Sequence, residues 1–203
     1  MNNIDDSRQR KRAQFALDLP VVIQNNKIKV IILQHPREPD KELGTAALAV
    51  RALENAKLKV GLSWPSLTKI VGETANPSNW AVLYLGSKNK NLRGEVNVVD
   101  KKNNLLSDPF IPEGIVALDG NWSQAKAIWW RNAWLLKLKR IVLHPKTASL
   151  YGKLRKEPRS EALSTIESIA LCLQYFEKDK TIAVNLNMLF SEFLNKYREY
   201  YGS

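Results

Sequence analysis

Short apolar runs without alternation punctuate this chain: K-V-I-I-L at Lys29–Leu33, W-A-V-L-Y-L at Trp80–Leu85, Ile115–Leu118 and Ile141–Leu143. A run that is apolar at consecutive positions predicts a strand buried on both faces. Lys59–Leu62 predicts a further short strand. The charged, Asn-rich stretch from Ser87 to Pro112 reads as a surface excursion holding at most one weak strand, near Val96–Val99. Between the strands the apolar spacing turns helical. Gly44–Ala56 carries Ala, Leu and Val at that spacing with Thr45 as its cap. A helix opening at Ser164 places Ile166, Ile169, Ala170 and Leu173 on one face, and a last helix aligns Ile182, Leu186, Leu189, Phe190, Phe193, Tyr197 and Tyr200. Strands alternating with helices predict an α/β fold: a mostly parallel sheet flanked by helices, with two C-terminal helices. Residues 1–14 read as a basic, partly disordered arm, and residues 15–203 as a single domain.

The segment after Leu118 is D-G-N-W-S-Q-A-K-A-I-W-W-R-N-A-W. On an ideal helix of about 100° per residue, Trp122, Ala125, Ile128, Trp129 and Leu136 share a sheet-facing side. Trp130 and Trp134 then fall opposite, with Lys126 and Lys137. Two readings stand: burial under the C-terminal helix or in a dimer interface, or stacking on unpaired bases beside the lysines.

Polar residues gather at the strand ends, in Gln34-His35-Pro36, Tyr84-Leu85-Gly86, Leu118-Asp119-Gly120-Asn121-Trp122 and His144-Pro145. In a parallel sheet these ends converge on one edge, where open α/β folds place ligands. Asp119 at such an end is either a structural cap or a catalytic base. Ser164-Thr165-Ile166-Glu167 has the spacing of a capping box, and a helix start also suits an anionic ligand group.

Charge changes the picture of the partner. Thirty-one Lys and Arg against twenty Asp and Glu leave a formal charge of +11, which favours a polyanion, nucleic acid first. Lys153, Arg155, Lys156 and Arg159 concentrate in one loop, and with Arg131 they are the candidate RNA contacts. Cys172, the single cysteine, lies in an apolar helical run and reads as core; it points to a reducing, cytoplasmic setting. His35 and His144 are the only histidines, so no metal site is expected. No apolar run reaches the length of a membrane span. No G-x-G-x-x-G, Walker loop, G-x-S-x-G or C-x-x-C occurs, which removes the usual signatures of dinucleotide, nucleotide-triphosphate, α/β-hydrolase and thioredoxin chemistry.

I-L-Q-H-P-R-E from Ile32, G-T-A from Gly44, L-D-G-N-W from Leu118 and L-S-T-I-E-S-I-A from Leu163 resemble, in order, the DTW-domain family of tRNA-uridine aminocarboxypropyltransferases. The resemblance spans about Val30 to Leu173. It implies a fold akin to the knotted SPOUT class and an S-adenosylmethionine-binding domain. The implied reaction moves the 3-amino-3-carboxypropyl group of S-adenosylmethionine to N3 of a tRNA uridine, releasing methylthioadenosine. Asp119 is then the base. The donor would be held by Leu33, His35, Thr45, Leu85, Gly86, Leu118, Gly120, Asn121 and Trp122, and by Leu143, Pro145, Leu163, Ser164 and Thr165. Asn121 stands where the family usually has threonine, and the N-terminal cysteine cluster of many relatives has no counterpart before Cys172. A SPOUT-like RNA methyltransferase and a catalytically inert RNA-binding relative are the alternatives. The sequence leaves monomer and dimer both open.

Overall fold

A computed structural model describes residues 19–38, 43–84, 92, 94–154 and 163–201. Its centre is one six-stranded sheet with spatial order β2-β1-β5-β3-β6-β4. These strands are β1 Lys29–Gln34, β2 Ala56–Val60, β3 Trp80–Leu83, β4 Val96–Val99, β5 Gly114–Asp119 and β6 Lys139–Leu143. All pair in parallel except β4, which runs antiparallel to β6. Helices α1 Ala46–Ala52, α2 Leu67–Val71, α3 Trp122–Arg131, α4 Thr165–Phe176 and α5 Thr181–Tyr201 accompany it. The expected α/β architecture, with two C-terminal helices, is therefore present.

Alternation along the buried strands divides the core into two layers. Val30 and Ile32 of β1 join Ile115 and Ala117 of β5 in a cluster with Ala49, Ile169 and Phe190 from α1, α4 and α5. Ile31, Leu33 and Val116 face the other way, onto Ile70 and Ile128 of α2 and α3. Both faces being covered explains why these strands read as continuous apolar runs. Cys172 is fully buried in the first layer, and desolvation pushes its thiol well above the ordinary range.

Several elements depart from the sequence expectation. The second strand is Ala56–Val60 rather than Lys59–Leu62. It lies on the sheet edge, where Lys57 and Lys59 alternate outward and blunt the open edge. Helix α1 is shorter than Gly44–Ala56, because Leu53 is already extended as the chain turns into β2. Thr45 does not cap α1; its hydroxyl oxygen instead accepts the backbone N–H of Ile166 at 3.3 Å, joining the starts of α1 and α4. The strand expected near Val96–Val99, by contrast, is present, with Val96 and Val99 buried.

The tryptophan-rich helix also ends early. At Asn132 the side chain donates to the Ile128 and Leu62 carbonyls and accepts the N–H of Trp64. These bonds stop α3 and start a 3-10 turn at Ala133–Lys137. The change of pitch swings Trp134 inward, where its ring N–H donates to Trp64 O at 3.1 Å, and turns Leu136 out. The ideal-helix projection therefore fails for both residues, and it fails for Trp122 as well, which it turns to the sheet but which is 43% exposed. Trp134 packs in the α2/α3 layer, away from α5, while Trp130 stays 75% exposed.

Gly114 faces Trp80 across β5 and β3, and a Cβ there would lie 2.4 Å from two ring carbons. Strand and indole are both buried, so neither can yield cheaply. Gly114→Ala is expected to cost about 1–3 kcal/mol of stability, read as a lowered urea midpoint. An unchanged midpoint would show that the Trp80 ring is free to move.

Candidate active site

The connections decide where a crevice opens. After β1 the chain passes through α1 to β2 on one flank, and after β5 it passes through α3 to β6 on the other. Neighbouring strands whose exits diverge form a topological switch point at their carboxyl ends. The last register pair of β1 and β5 there is Gln34 with Asp119. Both side chains follow the period-two face of Val30, Ile32, Ile115 and Ala117, towards α4.

Asp119 is 8% exposed. Its Oδ2 accepts the Gln34 side-chain N–H at 2.8 Å, and its Oδ1 accepts the Thr165 hydroxyl. The backbone carbonyl of Asp119 accepts the N–H of His35 at 3.0 Å. A carboxylate offers about four lone-pair sites, so two donors fix its plane and leave acceptor capacity. Gly120 follows with φ +155°, and a Cβ there would sit 2.8 Å from Gln124 Cβ. The turn from strand into helix is thus tight enough to require glycine.

Asn121 closes that turn. Its side chain accepts the Gln124 N–H at 3.0 Å, while Gln124 Oε1 accepts the Asn121 N–H at 2.6 Å, a reciprocal cap. Asparagine caps a helix at least as well as threonine, so the unusual residue keeps the local geometry. The Ser164–Glu167 box is formed in the same way. Glu167, buried, also accepts the Ser149 hydroxyl at 2.6 Å and the Leu150 N–H at 2.8 Å. These bonds hold the start of α4, and with it Thr165, against Asp119.

His35 and Thr165 bond to Asp119 and Gly120 follows it in the chain, while Ser164 and Thr45 hold the start of α4 beside it. Leu33 and Leu118 point into the α2/α3 layer, so only their backbone meets the crevice. Leu143 and Pro145 continue from β6, which is separated from β5 by β3. Leu163 immediately precedes the α4 cap Ser164. Trp122 opens α3 on its outer side, 43% exposed, with Lys126 Nζ 5.5 Å above its ring. Arg131 lies at the far end of that helix, where its guanidinium donates to Ala127 O. Leu85, Gly86, Arg155, Lys156, Arg159 and the Lys153 side chain lie outside the described residues. Among the described residues no group of three His, Cys, Asp or Glu could hold a metal, and no helix is long and apolar enough to cross a membrane.

Gln34 is the residue that sequence reasoning left out of the site. Its place in Q-H-P at a strand end was a signal, but only the β1–β5 register sets it against Asp119.

An α/β domain with a fixed carboxylate at a sheet switch point has the construction of a ligand-binding or catalytic domain. The chain belongs to the DTW domain family, whose model matches residues 12–198. It is 31% identical over 162 residues to a Macaca fascicularis protein named tRNA-uridine aminocarboxypropyltransferase 2, covering 76% of this chain and 50% of the relative. Proteins of the same name from Mus musculus (29% over 171 residues, 83% and 54% covered) and Drosophila melanogaster (28% over 165 residues, 73% and 56%) are also similar. The chain spans about half the length of these curated relatives. No solved structure matches it.

Thr165→Val keeps the shape of the side chain and removes the donor to Asp119 Oδ1. A loss of about 1–3 kcal/mol is expected, since a buried acceptor is left with one partner fewer. Chemical denaturation measures it, and a variant as stable as the parent would show that this bond contributes nothing.

Proposed function

We propose that this chain is a tRNA-uridine aminocarboxypropyltransferase that uses S-adenosylmethionine as donor and N3 of a uridine as acceptor. The observation that carries the proposal is Asp119: a buried carboxylate, oriented by Gln34 and Thr165 at the β1–β5 switch point. Membership of the DTW domain family and the names of the similar proteins supply the substrate class.

S-adenosylmethionine brings an electrophilic methylene attached to a sulfonium. The chain's own work is to place that methylene in line with N3, direct the methyl group elsewhere, and take a proton. Uridine N3–H is a weak acid, and Asp119 accepts its proton as the new N–C bond forms and the C–S bond breaks. Methylthioadenosine departs, and the proton passes from Asp119 to solvent. The start of α4 lies beside Asp119, and the positive end of its dipole suits the donor's carboxylate; the Ile166 and Glu167 N–H groups there are already taken by Thr45 and Ser164. In a SPOUT-like arrangement of the sheet edge the backbone at Leu118–Asn121, Leu143–Pro145 and Leu163–Thr165 would hold the adenosine, and Leu85 and Gly86 remain candidates outside the described residues. The basic loop with Lys153, Arg155, Lys156 and Arg159 then meets tRNA phosphates. A cytoplasmic setting matches a tRNA substrate.

Asp119→Asn should lower transfer by about 100-fold or more, the usual contribution of a general base, while S-adenosylmethionine still binds by calorimetry. The assay is nucleoside mass analysis of an unmodified tRNA after incubation with the donor, with chromatography for methylthioadenosine. Near-parental turnover removes Asp119 from the mechanism. Adenosylhomocysteine as the product would make the chain a methyltransferase, and a parent that fails to bind the donor would make it an inert RNA-binding relative.

A further inference from the structure

Helix α3 begins directly after the Asp119 turn and carries a pattern of aromatic and basic residues on its outer side. Ala125 and Ile128 face inward and are fully buried. Trp122, Lys126 and Trp130 follow one another at four-residue spacing, so they form one continuous stripe on the solvent side. Trp122 is 43% exposed and Trp130 75% exposed. Lys126 Nζ sits 5.5 Å from the centre of the Trp122 ring. No ring contact or hydrogen bond of the Trp130 side chain to another described residue is present.

The exposed neighbours identify the occupant. α3 contains no acidic residue, its other outward positions are Ser123 and Arg131, and the chain as a whole carries +11. An interface between copies or with an apolar protein would surround two exposed indoles with further apolar residues. Here a cation separates them instead. Alternating flat aromatic faces and positive charge suit unpaired nucleotides, whose bases stack while their phosphates are neutralised. The spacing also fits. Trp122 and Trp130 are eight residues apart, about 12 Å along a helix at 1.5 Å per residue. At a strand rise of about 3.4 Å, that is the length of three or four stacked nucleotides. The stripe starts three residues from Asp119, where the reacting base must leave its own stack to be reached.

We propose that the Trp122–Lys126–Trp130 stripe of α3 is a stacking rail for the unpaired tRNA nucleotides that flank the target uridine. This inference rests on the reading of the chain as a tRNA-modifying protein, and the test separates the two. Binding of a pool of unmodified tRNA transcripts is measured by fluorescence anisotropy, without turnover, for the parent, Trp130→Ala and Lys126→Gln. Trp130→Ala should weaken binding by about 5- to 150-fold, the usual effect of losing one base-stacking side chain. Lys126→Gln should reduce the salt slope of log Kd by about one. S-adenosylmethionine binding and the urea midpoint serve as folding controls for both variants. Parental affinity in a folded Trp130→Ala protein overturns the rail and leaves the tRNA reading standing. A parent that does not bind tRNA overturns both. A parental dimer that becomes monomeric in Trp130→Ala at unchanged tRNA affinity assigns the stripe to a second copy and also overturns the rail.

Discussion

Because β1 and β5 run parallel with Gln34 opposite Asp119, the last residue pair of the ladder is also the centre of the candidate site. The backbone bonds that build the sheet therefore position the chemistry. A one-residue slip of either strand would turn its side chain to the α2/α3 layer, where Leu33 and Leu118 now lie. The same slip would expose or misplace an entire apolar face, so the register is defended by the core. Precision at Asp119 comes from burial of Val30, Ile32, Ile115 and Ala117 rather than from the polar residues themselves.

Polar bonds then complete what packing begins. Asp119 has one side chain from the sheet and one from α4 on its two oxygens. Thr165 is held in turn by the Ser164–Glu167 box, and Glu167 also ties down Ser149 and Leu150 in the segment leading to that helix. Thr45 joins the start of α1 to the same helix through Ile166. Gln34, Thr45, Asp119, Ser164 and Glu167 are buried, so a bond left unmade at any of them would be expensive. The edge of the sheet is consequently a connected polar network, with the order a preorganised site needs.

How much of this was legible in the sequence depends on what kind of force set each feature. The strands β1, β3, β5 and β6 were readable because burial on both faces writes a continuous apolar run. β4 was readable only as a weak strand, at the right place, while β2 was misplaced, since this edge strand keeps lysines and its pairing is a tertiary fact. Asp119 and the Ser164 box were readable from local chemistry: an acid before glycine at a strand end, and Ser with Glu three residues on. Gln34 was hidden, because its role exists only across a ladder joining residues 85 apart. The tryptophan helix was misjudged beyond Arg131 because no periodicity announces that the Asn132 side chain will take over the Ile128 carbonyl.

Structural and catalytic readings of Asp119 are compatible on these bonds. A carboxylate that is free to rotate would gain more from solvent than from a substrate proton. One pinned by Gln34 and Thr165 has already given up that freedom during folding, so it does not lose it again at the moment of reaction. Its remaining lone pairs are then aimed, and what they meet is set by the turn beside them. Gly120 and the Asn121 cap send the chain directly into α3, so the helix with exposed indoles grows out of the rim of the crevice. Moving the end of β5 by one residue would displace the acid and the outward stripe together. Acid and rail are thus parts of one strand-to-helix turn, and a base seated over the first is delivered by a strand lying along the second.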